Sequence, residues 1–249
     1  MNPYLKNLSK IEFVLTYACT GRCKHCSEGD HSLSGVSIDP VISAEAVRKV
    51  ASEYAIKTVM VFGGEPLLCL DAVESIMRTA TELGVERRQI ITNGFFSRNV
   101  RKMREVAKML GACGVNDLLL SVDAFHQETI PLDTVRVFAD ALIECGVPVR
   151  LQPAWLVSTE DENSYNVRTR EILAAFSDLE IPVGAGNIIF PEGNAKRYLA
   201  EYFEGDIPEN PYEEDPNNVT CLSFSPNGDV LGSNVYRDDI MEIIENYRP

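Results

Sequence analysis

The chain has 249 residues, 45% hydrophobic and 24% charged; that buries a large core and excludes a wholly disordered, collagenous or coiled-coil chain. Lys and Arg number 23 against 37 Asp and Glu, a net charge of −14, which repels phosphate backbones and argues against nucleic acid as a partner. No apolar run spans a bilayer, and residues 1–13 (MNPYLKNLSKIEF) lack the apolar core and cleavage site of a signal peptide, so a cytoplasmic protein without a membrane partner is expected.

In chain order, residues 11–16 (IEFVLT) read as a first strand. A polar stretch follows, then a helix over 43–54 with Ser43 as N-cap and Ala46, Val47, Val50 and Ala51 on one face. Residues 57–62 form a second strand ended by Gly63-Gly64, and 70–83 a helix stopped by Gly84. A third strand at 89–92 ends in Asn93-Gly94; the helix after it, 99–110, stops at Gly111. A fourth strand at 117–122 precedes a helix at 133–145 stopped by Gly146. A fifth strand covers 147–157, interrupted by Pro153, with a helix at 166–176 and a sixth strand at 183–190. Six β/α units with continuously apolar strands give the fold class as α/β, a partial (β/α)6 TIM-like barrel whose chemistry sits at the strand C-termini. A doubly wound open sheet is the competing arrangement.

After Phe190 the pattern changes. Pro191, Pro208, Pro211 and Pro216 interrupt it, and residues 201–215 hold seven acidic side chains with no Lys or Arg, a solvated loop. A hairpin at 221–230 turning at 226–229 and a short helix at 238–247 complete the reading. The division expected is a core at 1–190 and a C-terminal extension at 191–249.

Of the seven cysteines, Cys19, Cys23 and Cys26 crowd into C-x3-C-x2-C directly after the first strand. Cys69, Cys113 and Cys145 lie on or at the ends of helices and read as small core residues, and Cys221 stands apart. An odd number in a reducing compartment argues against disulfides. Three thiolates so close can hold three irons of a four-iron cluster and leave the fourth iron open. The alternative is zinc, which needs a fourth ligand; the nearby donors are His25, inside the loop, and His31.

CTGRCKHC after a first strand, with Gly63-Gly64-Glu65-Pro66 after the second, resembles the two signature motifs of the radical S-adenosylmethionine (radical SAM) superfamily. The resemblance covers roughly residues 10–190. It implies one [4Fe-4S] cluster on Cys19, Cys23 and Cys26, with S-adenosyl-L-methionine on the open iron. It assigns Gly63 and Gly64 to the methionine ammonium, Glu65 to loop order or the ammonium, and Pro66 to turn rigidity. His25 takes the usually aromatic slot beside the adenine. Asn93, in Thr92-Asn93-Gly94, resembles a family element near the cofactor. Ser121 of Ser121-Val122-Asp123 resembles one that contacts ribose or carboxylate. Arg150 and Gln152 resemble a K/R-x-N element, with Gln in place of Asn. Asp123 and His126 are the candidates to face the substrate and move protons; His126 could equally satisfy a loop hydrogen bond.

The segment from Cys221 through Pro226, Gly228 and Val230, with Phe190 to Ala195 before it, resembles the SPASM or twitch extensions of peptide- and protein-modifying members. Ser233 stands where a further cysteine would follow, and none comes after Cys221, so the extension is degenerate and a single cluster is expected. The implied activity is reductive cleavage of S-adenosylmethionine to a 5′-deoxyadenosyl radical that abstracts hydrogen from a peptide or protein. The implied electron source is an external one-electron donor such as flavodoxin or ferredoxin. Alternatives are a glycyl-radical-enzyme activating enzyme, a radical SAM enzyme with a small-molecule substrate, and a non-catalytic iron–sulfur or zinc scaffold. The first usually carries a DGPG-type segment before the cysteines, which this chain lacks.

Overall fold

Alternation along the first strand sets the layers. In β1 (Lys10–Val14), Ile11 and Phe13 are fully buried in the main core, while Lys10, Glu12 and Val14 turn to the opposite face. The structure is a computed structural model describing residues 2–29, 35–204 and 210–249; His31 and the middle of the acidic loop lie outside the described residues. After β1 come α1 (Pro40–Glu53), β2 (Thr58–Phe62), α2 (Leu70–Glu82), β3 (Arg87–Thr92), α3 (Val100–Ala112) and β4 (Asp117–Ser121). Then follow a one-turn α4 (Ala124–Gln127), α5 (Leu132–Glu144), β5 (Val149–Gln152), β6 (Ala154–Trp155), α6 (Ser164–Ala174), β7 (Asn187–Ile188) and α7 (Gly193–Tyr198). β8 (Cys221–Phe224), β9 (Asp229–Val230), β10 (Ser233–Asn234) and α8 (Ile240–Asn246) complete the order.

Six strands form one parallel sheet in the order β5-β4-β3-β2-β1-β8. Helices α1, α2, α3, α5 and α8 bury their apolar faces on one side of it, in a single core. This is the partial barrel expected from the sequence. Its other face carries the side chains left out of that core: Glu12, Met60, Gln89, Asp117, Leu119, Ser121, Arg150 and Gln152. The loops at the strand C-termini stand above this inner face.

Three expectations change. The sixth strand of the sheet is β8, not residues 183–190. Val183 makes a lone bridge to Leu151, and β7 pairs only with β6, outside the main sheet. Pro153 has no N–H to continue the ladder, so the fifth strand divides into β5 and β6. Gly186 at φ +79 bends the chain before β7. Second, Asp39 caps α1: its Oδ1 accepts from the N–H groups of Val41 at 2.8 Å and Ile42 at 2.9 Å, with Pro40 in the first turn. Ser43 lies inside that helix. Third, α3 continues past Gly111 to Ala112, and Gly114, at φ +86, makes the turn after it. The hairpin expected at 221–230 is replaced: Cys221–Phe224 pairs in parallel with β1, and a two-residue hairpin of β9 and β10 follows it, turning at Leu231-Gly232.

The C-terminal segment is woven into the core. Phe224 is 1% exposed and stacks on Phe13 of β1 with ring centroids 4.7 Å apart. Truncating such a ring costs about 3–5 kcal/mol. Phe224→Ala should therefore lower the urea midpoint of the whole chain in one cooperative transition. A separate minor transition, with the main one unmoved, would make β8 an appendage.

Candidate functional site

Two loops meet above β1 and β2, and their backbones bond directly. Gly64 N–H donates to Thr16 O at 2.8 Å, and Glu65 N–H donates to Ala18 O at 2.8 Å. The approach is so close that a Cβ on Gly64 would sit 2.1 Å from Ala18 O, and one on Gly63 would sit 2.7 Å from Thr16 O. Gly63 also has φ +136, which favours glycine. Both glycines thus seat the strand-end loop that carries Cys19.

Glu65 ties in a third loop. Its carboxylate is wholly buried. One oxygen accepts from Leu67 N–H at 2.9 Å and the Thr92 hydroxyl at 2.7 Å; the other accepts from Asn93 N–H at 2.9 Å. Burial pushes its carboxyl up to about 7 against these three hydrogen bonds, which lower it. Of its two expected roles, the geometry supports loop order. Asn93 in turn reaches the cysteine loop, its Nδ2 lying 3.5 Å from Cys19 Sγ and 3.2 Å from Thr20 Oγ1.

The three thiols share one environment. Burial raises all of them, Cys19 to about 11; Glu65 and Cys26 add charge repulsion on Cys19, and Asp123, Cys19 and Cys26 add it on Cys23. Backbone N–H groups point at the sulfurs, Gly21 at Cys19 (3.3 Å) and Glu28 and Gly29 at Cys26. Such donors stabilise thiolates ligating a metal centre. A single zinc would draw three sulfurs to about 3.8 Å of one another. Among the described residues, the triple of metal-ligating groups that meets within 4.8 Å is instead Cys23, His25 and His126. In a four-iron cluster each of three such thiolates binds its own iron.

The loop rests on a second small core of Cys23, Phe125, Ala154, Leu156, Ile189, Ala195, Leu199 and Phe203. Here the structure supplies residues that the sequence reading left without a role. Asn194 N–H donates to Cys26 O at 2.8 Å, and its Nδ2 donates to Cys23 O at 3.1 Å. Gly193, at φ +52, packs so tightly that a Cβ would meet Ser27 O at 2.3 Å. The Phe190–Ala195 motif was visible in the sequence; its grip on the cysteine loop was not.

Asp123 lies among its own hydrogen-bond partners. It is wholly buried, and its carboxylate accepts from His126 N–H (2.9 Å) and Ala154 N–H (3.0 Å) and pairs with His126 Nδ1 at 2.8 Å. Burial alone would raise this carboxyl; the His126 imidazole and these bonds hold it below the usual range. This enclosed carboxylate holds the His126 ring in place. His126 stands against His25, ring centroids 4.9 Å apart, with Phe125 5.0 Å from His25 on another side. Burial, then the charge of His126, lowers His25 to about 4.

Arg150 is also committed elsewhere. Its guanidinium grips Asp117, at the start of β4, at 3.0 and 3.2 Å, away from the cysteine loop. Ser121 and Gln152 are cross-strand partners at the C-terminal ends of β4 and β5. Cys221 is buried beside Glu12, and burial raises its thiol. Cys113 is buried as expected, whereas Cys145 is exposed.

The Gly64 contact is directly testable. Gly64→Ala forces strain on the order of 1–3 kcal/mol at a backbone contact. Reconstituted protein should retain iron on the order of tenfold less tightly against a chelator, with unchanged far-ultraviolet circular dichroism. Retention equal to wild type would show that the loop contact is not needed.

Comparison with known proteins agrees with this geometry. The Radical SAM superfamily profile matches residues 13–149. A probable GTP 3′,8-cyclase of Saccharolobus solfataricus is 31% identical over 214 residues, covering 79% of this chain and 65% of that protein. The GTP 3′,8-cyclase of Limosilactobacillus fermentum is 30% identical over 121 residues, 47% of this chain and 34% of that protein. The chain thus spans less than two thirds of the length of these relatives. In fold, it resembles anSMEcpe with bound AdoMet (TM-score 0.59, 13% identity, 97% of this chain and 81% of that one). It also resembles BtrN in complex with AdoMet and 2-DOIA (TM-score 0.55, 20% identity, 97% and 84%). With the family profile spanning more than half of its length, the chain belongs to the radical SAM superfamily, iron–sulfur enzymes that use a [4Fe-4S] cluster and S-adenosylmethionine.

Proposed function

We propose that this chain carries out a radical SAM reaction on a peptide or protein. The observation that carries the reading is the three-cysteine loop clamped to Gly63-Gly64 above an open inner face. A cluster held by Cys19, Cys23 and Cys26 would supply, with an external one-electron donor, the reductive cleavage of S-adenosylmethionine that starts hydrogen abstraction. The protein's share is placement. Cys19, Cys23 and Cys26 hold the cluster. The Gly63 carbonyl, the Ser121 hydroxyl and the Gln152 amide hold the polar groups of S-adenosylmethionine. Glu65 and Asn93 fix the loops around them, and Asp123 fixes the His126 ring against His25.

The shape of the inner face supports an extended substrate. Among the described residues, no further strand of the main sheet joins β5 to β8. Ser223 and Asn187 are exposed, and the Arg150 side chain is 37% exposed. A lateral opening of this kind admits a polypeptide. A nucleotide substrate, as in the names of the archaeal relatives, is the second reading. Against it, the three inner-face cations already lie against carboxylates, Lys10 with Glu12 at 2.5 Å and both Arg150 (3.0 Å) and Arg87 (3.8 Å) with Asp117.

Anaerobic reconstitution tests the reaction. Dithionite-reduced protein should show a four-iron paramagnetic signal that shifts on adding S-adenosylmethionine, and should form 5′-deoxyadenosine; Cys23→Ala should do neither. A signal indifferent to S-adenosylmethionine would overturn the reading. Peptide mixtures should accelerate 5′-deoxyadenosine formation and GTP should not; the reverse would install the nucleotide reading.

The site assignment has its own test. Losing one hydrogen bond costs about 0.5–1.5 kcal/mol. Ser121→Ala should therefore weaken S-adenosylmethionine binding roughly 2- to 10-fold in calorimetry. Arg150→Ala should leave it within about twofold, since Asp117 already holds the guanidinium. A larger loss in Arg150→Ala would return that residue to the cofactor.

A further inference from the structure

Two histidines lie against the cysteine loop, and three thiolates on three irons have no need of them. Ligand atoms of Cys23, His25 and His126 all lie within 4.8 Å of one another. His126 Nδ1 is held by Asp123 Oδ2 at 2.8 Å, which leaves Nε2 as its ligating atom. Asp123 is itself fixed by Ala154 N–H at 3.0 Å. A carboxylate bonded to the far nitrogen of an imidazole is the arrangement that orients metal-binding histidines. His25 Nδ1 is buried and has no hydrogen-bond partner. A polar atom left so is costly unless something binds it.

We propose that the cluster-free chain binds one zinc-like divalent ion through Cys23, His25 and His126, with Asp123 orienting His126. Because Cys23 belongs to both sites, this ion and the cluster exclude each other. One thiolate and two imidazoles form a ligand set of borderline softness, suited to tetrahedral zinc or cobalt with a fourth position left to water. Zinc bonds of about 2.0–2.3 Å place such atoms roughly 3.4–3.6 Å apart, within reach of a small adjustment from their present separation of at most 4.8 Å. The consequence is a gate on maturation, with free divalent ion holding the chain in an inactive form until it is withdrawn. Exclusion rests on Cys23 being a cluster ligand; binding of the ion does not.

Cobalt(II) titrated anaerobically into the full metal-free chain separates the possibilities. One equivalent should bind, with the visible absorption of a tetrahedral ion and thiolate charge transfer in the near ultraviolet. A Cys19→Ala/Cys26→Ala double variant should keep this spectrum while failing to assemble the cluster. His126→Ala and the bulkier His126→Gln should each weaken cobalt binding at least about tenfold, as should His25→Ala, and Asp123→Asn should weaken it roughly 10- to 100-fold. Prior zinc should block reconstitution with iron and sulfide in wild type and not in His126→Gln. Cobalt binding that is lost in the double cysteine variant and survives both His126 substitutions would overturn the proposal, placing the ion on the three cysteines. Failure of the cluster to bind S-adenosylmethionine would overturn the proposed function and leave this site standing.

Discussion

The site depends on how closely two backbones approach. Gly64 and Ala18 touch at a separation that leaves no room for a methyl group. The hydrogen bonds made there extend the β1–β2 ladder past the ends of both strands. A cysteine loop is long, polar and without regular structure, so it has little to hold it. Anchored by two backbone bonds at its root and by Asn194 and Gly193 further on, it takes one course over a small apolar floor.

Two buried carboxylates do most of the organising, and neither faces open space. Glu65 joins the turns after β2 and β3; Asp123 joins the turn after β4 to β6 and to His126. Each is wholly enclosed and fully hydrogen-bonded, the condition under which a buried charge is tolerated. Both close their partners into a rigid frame at the strand C-termini, where a parallel barrel presents its loops.

Much of this was legible in the sequence, wherever the signal was local. Apolar runs located the first four strands, and Asn99 and Gly146 marked helix ends correctly. The cysteine spacing and the glycine pair located the two loops. The losses came where a distant partner decides. Ser43 looked like a cap, but the Asp39-Pro40 pair starts the helix one turn earlier. Arg150 and Asp123 were read by residue type and motif, and their partners Asp117 and Ala154 come from neighbouring strands. Residues 183–190 carry strand-like composition, yet nothing in that window reveals that β8 occupies the sheet position instead.

That last feature bears on how the chain comes together in time. β1 is flanked by β2 on one side and β8 on the other, and about 200 residues of chain separate β1 from β8. At synthesis rates of 5–20 residues per second, the first strand waits roughly 10–40 s for its second neighbour to emerge. Until then Phe13 lacks its stacking partner and the sheet has a raw edge beside the strand that feeds the cysteine loop. The loop carrying the thiols is thus among the first parts made and, through its supporting strand, among the last secured.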